Sequence, residues 1–203
     1  MKIHLYKLIL ILIPMLHVHL SADGQEWEMA KEEDQVTAYS HVREGGIKAV
    51  RVVTEVEAPL EKVIKFITDY DNPKEWKHST RSSKIVKRES ADAFKVYFVI
   101  ATPWPLKDRD FYADVTVNHT ETNESCEIIF IPDTEQKNHG NKVRMTDFDT
   151  RWKLTDHKDG KIGVELYSYG DPVGVPISFV NMFIVDTPFK TVKNLKRDIK
   201  DYK

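Results

Sequence analysis

Apolar and polar residues alternate with a period of two along most of the chain, and two helical passages interrupt the alternation. Residues 35–43 and 47–57 read as strands joined by Glu44-Gly45-Gly46, a short turn with glycine where positive φ is needed. Ala58-Pro59 then opens a helix with proline at its first position, and Leu60, Val63, Ile64 and Ile67 fall on one face. Asp69 to Pro73 ends it, and Trp76 follows in the loop. Further strands are predicted at Ser83–Glu89, Phe94–Ala101, Arg109–Asn118 and Cys126–Ile131. Phe94, Val96, Phe98 and Ile100 alternate with Lys95, Tyr97 and Val99, and Phe111, Ala113, Val115 and Val117 with Tyr112, Asp114 and Thr116. Such alternation gives each strand one inward and one wetter face. Lys142–Leu154 and Lys161–Tyr169 read as another hairpin around His157-Lys158-Asp159-Gly160.

Pro176–Asp198 closes the chain as a long helix with the stripe Val180, Ile184, Val192, Leu195 and Ile199. Thr187-Pro188 reads as a cap and first helical position, which predicts a kink or split there. The order of strands, one helix, many strands and one long helix specifies an α+β fold. A curved antiparallel sheet cannot cover its own concave face, so the C-terminal helix must lie in it. Whether the interior is solid or hollow depends on that packing.

Residues 1–22 stand apart. Lys2 and Lys7 precede the apolar run Leu8–Leu16, and the small residues Ser21-Ala22 precede polar sequence, the order of a secretory signal. A membrane-spanning helix needs about 20 apolar residues, and this stretch is interrupted by His17 and His19. The chain is therefore expected to be exported, to the periplasm or outside the cell, with residues 23–203 as one domain. Removal of the leader takes two lysines and no acid, leaving 28 basic and 32 acidic residues, net −4. That balance argues against nucleic acid as a partner. The single Cys126 excludes an internal disulfide, and its place in an alternating strand reads as a core thiol.

No catalytic constellation emerges. The histidines of the exported chain, His41, His78, His119, His139 and His157, form neither HxH nor HExxH. Nucleophile elbow, phosphate loop and dinucleotide fingerprint are absent. Asp147 and Asp149 share a strand face beside a bend and read as a solvated pair. Hence no catalytic residue, metal or cofactor is expected.

Two segments rise above this background. In Thr102-Pro103-Trp104-Pro105-Leu106-Lys107-Asp108-Arg109-Asp110-Phe111, prolines flanking Trp104 make a rigid corner. Arg109 shares the inward phase of Phe111, Ala113 and Val115, where a guanidinium must be paired or hydrogen-bonded. It either clamps the corner or meets a polar ligand head group. In Gly170-Asp171-Pro172-Val173-Gly174-Val175-Pro176, glycine and proline shape a loop that leads into Ile177–Val185, which is apolar nearly all round.

These two segments, with Trp76 and Trp152, resemble the START family of steroidogenic-acute-regulatory-related lipid-transfer domains, in particular its single-domain exported bacterial members. The resemblance spans roughly residues 27–200. It implies a helix-grip fold with a tunnel for one lipid, sterol or similar molecule, entered past Asp171–Pro176 and Ile177–Val185. Some sterol binders carry a charged residue where this chain has the apolar Val115, so sterol specificity does not transfer. Strand phase and helix stripe would line the tunnel with Phe98, Ile100, Arg109, Phe111, Val115, Phe130, Met145, Trp152, Val164, Leu166, Val180, Phe183 and Ile184. The expectation is a monomeric, non-catalytic binder of a lipid-like molecule. The alternatives are a superfamily enzyme such as an aromatase/cyclase or hydrolase, marked by a cavity group with a shifted pKa, and transient membrane docking through Lys190, Lys193, Lys196 and Arg197.

Overall fold

A computed structural model describes residues 26–70, 76–136 and 140–202; the leader read at residues 1–22 lies outside them. In chain order the elements are β1 Glu28–Glu33, β2 Val36–Val42, β3 Lys48–Val56, α1 Leu60–Thr68, β4 Thr80–Arg88, β5 Ala93–Ile100, β6 Arg109–His119, β7 Ser125–Pro132, β8 Val143–Arg144, β9 Phe148–Asp156, β10 Ile162–Gly170, α2 Ile177–Phe183 and α3 Asp186–Asp198. The strands make one sheet in the order β1-β2-β3-β10-β9-β7-β6-β5-β4, antiparallel throughout, with β8 added in parallel to β6. The N-terminal hairpin joins the C-terminal one through β3 and β10, from Ile162 opposite Val56 to Ser168 opposite Val50. With the helices at 177–198 against its inner face, this is the helix-grip fold.

The period-two strands form where they were expected, and three details differ. The charged segment Glu28–Glu33 has no alternation, yet pairs with β2 as an edge strand. The stretch Lys142–Leu154 is not one strand: only Val143–Arg144 and Phe148–Asp156 pair, on different partners. The helix split falls at Ile184–Val185 rather than at Thr187-Pro188, and Pro188 sits inside the first turn of α3, where a missing N–H costs nothing.

The core is solid at one end. Trp76 and Phe66 lie with ring centroids 4.7 Å apart, Tyr202 meets Phe66 at 4.9 Å and Trp152 meets Trp76 at 6.2 Å. Val192 and Leu195 of α3, with Ile199 just after it, fill the space between this cluster and the sheet. Each such side chain contributes about 1.5–3 kcal/mol by burial. The α3 cations point the other way, onto the β1–β2 turn: Lys193 binds Glu33 at 2.6 Å and Asp34 at 2.9 Å, and Lys196 reaches Gln35 and Thr54. The first turns of α3 and the whole of α2 belong to a different region, where packing is incomplete.

Candidate functional site

Three adjoining hollows, of about 140, 300 and 320 Å3, separate α2 and the start of α3 from the sheet, and Ile100 and Thr187 line all three. The inner chamber is walled by Phe98, Ile100, Phe111, Phe130, Trp152 and Leu166, all inward positions of the sheet, and closed by Tyr70, Lys77 and Thr191. The middle one adds Arg109, Met145, Val180 and Ile184. The outer one runs beneath Phe179, Phe183 and Ile184 to the 101–106 corner. Volumes of about 300–1,000 Å3 are usual for small-molecule sites. Of the residues read from the sequence, Val115 and Val164 stand outside these hollows, in the packed core at 1 % and 2 % exposure. The other eleven line at least one chamber.

Arg109 holds the hollow's wall in place. Its Nε donates to Pro172 O at 2.8 Å, one Nη to Val173 O at 3.1 Å and the other to Lys107 O. Three backbone carbonyls therefore satisfy a residue that is only 4 % exposed, which is the clamp reading of this side chain. Burial lowers its pKa, against the pull of Asp108. Asp108 in turn accepts from Arg81 at 2.6 Å and from Thr102 N at 3.2 Å, fixing the corner's two ends to each other. Arg81 holds that carboxyl below its ordinary range.

A second latch, Asn181, was not legible as such. On α2, its side chain donates to Gly46 O at 2.8 Å and accepts from Lys48 N at 2.9 Å, tying the helix to the β2–β3 turn. Gly46 holds φ +88°, and the turn it makes brings the carbonyl to Asn181. Val180 of α2, and Ile184 just after it, also pack against Ile47, Ala49 and Tyr169. The other face of α2 leaves Ile177, Phe179, Met182 and Phe183 exposed, and Trp104 of the corner is 92 % exposed.

The remaining sequence candidates are accounted for separately. Asp147 accepts from the Tyr169 hydroxyl at 3.1 Å and Asp149 pairs with Arg151 at 2.9 Å, so each has its own partner. Cys126 is buried in β7, and burial pushes its thiol up to about 11. Among the described residues, no group of three or more His, Cys, Asp or Glu side chains could hold a metal ion, and no helix is long and apolar enough to cross a membrane.

A curved antiparallel sheet gripping its C-terminal helix over an apolar hollow agrees with the family comparison, in which the START domain matches residues 18–180. The chain belongs to the START family. An uncharacterized protein of Pseudomonas aeruginosa, PA1579, is 30 % identical over 178 residues, covering 87 % of this chain and 88 % of its own. Among solved structures, a STAR-related lipid transfer protein from Xanthomonas axonopodis superposes with a TM-score of 0.78 at 21 % identity, covering 86 % of this chain and 98 % of that one. The lipid transfer and protein localization domain of human StarD13 gives 0.73 at 17 % identity, covering 86 % and 89 %. At these identities the structures establish the fold. The START sheet here thus carries its hollow under α2, with Arg109 and Asn181 holding the two sides.

Proposed function

We propose that this START domain binds and carries one lipid or other hydrophobic small molecule in the hollow between α2, α3 and the sheet, without catalysing a reaction, and that it acts as an exported monomer. The observation that carries the reading is the contrast within one interior. Val192 and Leu195 of α3 are fully buried against the sheet, whereas one turn earlier Thr187, Pro188 and Thr191 face empty apolar space. Burial of a chain yields about 0.8 kcal/mol per methylene, so about ten methylenes supply on the order of 8 kcal/mol before the cost of association. Few polar contacts are then needed. The family's lipid-transfer members support the same class of ligand.

Native mass spectrometry of gently purified protein, before and after incubation with mixed bacterial lipids, tests this. The expected result is a single added mass of an apolar molecule per chain. Repeated failure to find or load any such molecule would overturn the carrier reading. Export is tested by fractionation and by N-terminal sequencing, which should find the chain beginning near Asp23.

The mouth of the hollow is assigned to α2. Its exposed apolar face suits a transient contact with a membrane, whereas Lys193, Lys196 and Arg197 of α3 are engaged by Glu33, Asp34, Gln35, Thr54 and Asp198. Asn181→Ala removes two hydrogen bonds worth about 1 kcal/mol each, and should let α2 open more often. Ligand release measured by stopped-flow transfer to acceptor vesicles is expected to quicken by about ten- to thirtyfold, with the melting temperature lowered by about 4–8 °C.

An enzyme in the same hollow has one observation in its favour, the displaced titration of Lys77. An amine nucleophile also needs a base or an oriented partner. Among the described residues Lys77 bonds one backbone carbonyl and lies over aromatic rings, with no base hydrogen-bonded to it, and His78 is bonded through its backbone N–H to Thr191. The carrier reading accounts for the site better.

A further inference from the structure

Lys77 is the one strong charge-bearing group set into the wall of the inner chamber among the described residues. The loop that bears it is pinned to α3 on both sides: Asn194 Nδ2 donates to Trp76 O at 3.0 Å and His78 N donates to Thr191 Oγ1 at 3.1 Å. Residue 77 is thereby held between two fixed points, with its side chain over the Tyr70 ring, 3.1 Å from the centroid, and near the rings of Trp76 and Phe98 at 4.9 and 5.3 Å. An ammonium has three donors. One reaches Ile67 O at 3.3 Å, and the others have no acceptor among the described residues. No described carboxylate lies within salt-bridge distance of it. Tyr70, 1 % exposed and lining the same chamber, encloses a hydroxyl that also lacks a partner. Native proteins seldom leave a buried hydroxyl unsatisfied without a reason, and the half-buried Lys77 amine stands over the same ring. Aromatic rings offset part of the cost through cation–π attraction, but they accept no strong hydrogen bond.

We propose that Lys77, with the Tyr70 hydroxyl as a second donor, is the head-group anchor of the hollow and selects single-chain lipids that end in a carboxylate. The inference rests on the carrier reading and gives it a ligand class. A carboxylate has two acceptor oxygens on one planar carbon, which suits two donors in a chamber of about 140 Å3, while its chain runs outward through the middle and outer chambers. Burial holds the empty site's amine well below the ordinary lysine range, against the opposing field of Asp69. An entering carboxylate supplies an opposite charge beside the amine and favours its protonated form, so the acid gains an ion pair there. An ester of the same chain offers no charge and leaves the amine as it was.

The test is competition of hexadecanoic acid and of methyl hexadecanoate against the uncharged probe N-phenyl-1-naphthylamine, on wild-type protein and on Lys77→Met and Tyr70→Phe. Wild type is expected to bind the acid at least tenfold more tightly than the ester. Lys77→Met should erase that preference while keeping ester binding and a melting temperature no lower than wild type, and Tyr70→Phe should reduce the preference in part. Equal binding of acid and ester by wild type, or a preference that survives Lys77→Met, overturns the anchor while leaving the carrier reading intact. Failure of wild type to bind acid, ester and probe alike overturns both. Should Lys77→Met fold poorly, Tyr70→Phe and Lys77→Gln read the same preference, and its persistence in both overturns the anchor.

Discussion

Arg144→Met is expected to destabilise the protein by about 3–5 kcal/mol, the usual cost of stranding one partner of a buried ion pair. Arg144 Nε and Nη2 reach the two oxygens of Asp110 at 2.9 and 3.1 Å, and the Tyr97 hydroxyl donates to the same carboxylate at 2.9 Å. The Asp110 side chain is wholly buried and that of Arg144 is 9 % exposed, so water cannot replace the guanidinium cheaply. The planar fork fits both oxygens at once, which an ammonium does not, and Arg144→Lys should recover only part of the loss. At about 2–4 °C per kcal/mol for a chain of this size, the melting temperature should fall by roughly 6–20 °C. Adding Asp110→Asn to Arg144→Met removes the stranded charge, and the double variant should be more stable than the single one. Urea unfolding followed by circular dichroism measures both; a loss below about 1 kcal/mol for Arg144→Met would contradict the account. The pair also reaches the hollow. Val143 N and Met145 N donate to Asp108 O and Asp110 O at 3.0 and 2.8 Å, so the segment that Arg144 holds carries Met145 into the middle chamber.

That ion pair shows where reading the sequence succeeds and where it stops. Period-two alternation places Phe111, Ala113 and Val115 inward, and the same phase puts Arg109 among them, as found. By that phase Asp110 should face water. It is buried because β8, from further along the chain, pairs in parallel beside the start of β6 and sets Arg144, 34 residues on from Asp110, against its carboxylate. Two residues of pairing leave no periodic trace. β1 is hidden for a related reason: an edge strand with one bonded neighbour tolerates Glu28, Lys31, Glu32 and Glu33, so its sequence carries no apolar face.

The site was legible in part, and for a physical reason. Phase tells which side of the sheet a residue faces, not how far along the strand the helix touches it. Ile100 and Val115 are equally inward; Ile100 lies opposite Arg109 near the open end, while Val115 lies between Phe94 and Phe130. Only the tertiary position of α2 and α3 makes the first a wall of the hollow and the second solid core. Lys77 and Asn181 escaped notice differently. Lys77 sits in a loop without periodicity, and a lone asparagine in an apolar helix reads as an exposed polar position until the partner turn at Gly46 and Lys48 is seen.

The difference between those two inward positions can be measured with one residue type. Ile100→Trp puts an indole where three chambers meet, and Val115→Trp puts it into packed side chains. Overpacking a filled core costs typically about 1–3 kcal/mol and sometimes more; the step from valine to tryptophan is large, so Val115→Trp is expected at or beyond the upper end of that range. Ile100→Trp has empty apolar space to occupy, and the indole gains burial there instead of strain, so its stability should equal or exceed that of wild type. Ligand binding should respond in the opposite sense. If the indole takes the place of about two ligand methylenes, roughly 1.6 kcal/mol of burial is lost and affinity falls more than tenfold. Thermal unfolding and displacement of N-phenyl-1-naphthylamine on the two variants give the comparison. A stable Ile100→Trp protein that binds the probe more than tenfold less tightly, beside a damaged Val115→Trp protein, is the outcome a hollow requires. Comparable damage at both positions would mean that side-chain motion already closes the space under α2, and no acyl chain could then be housed there.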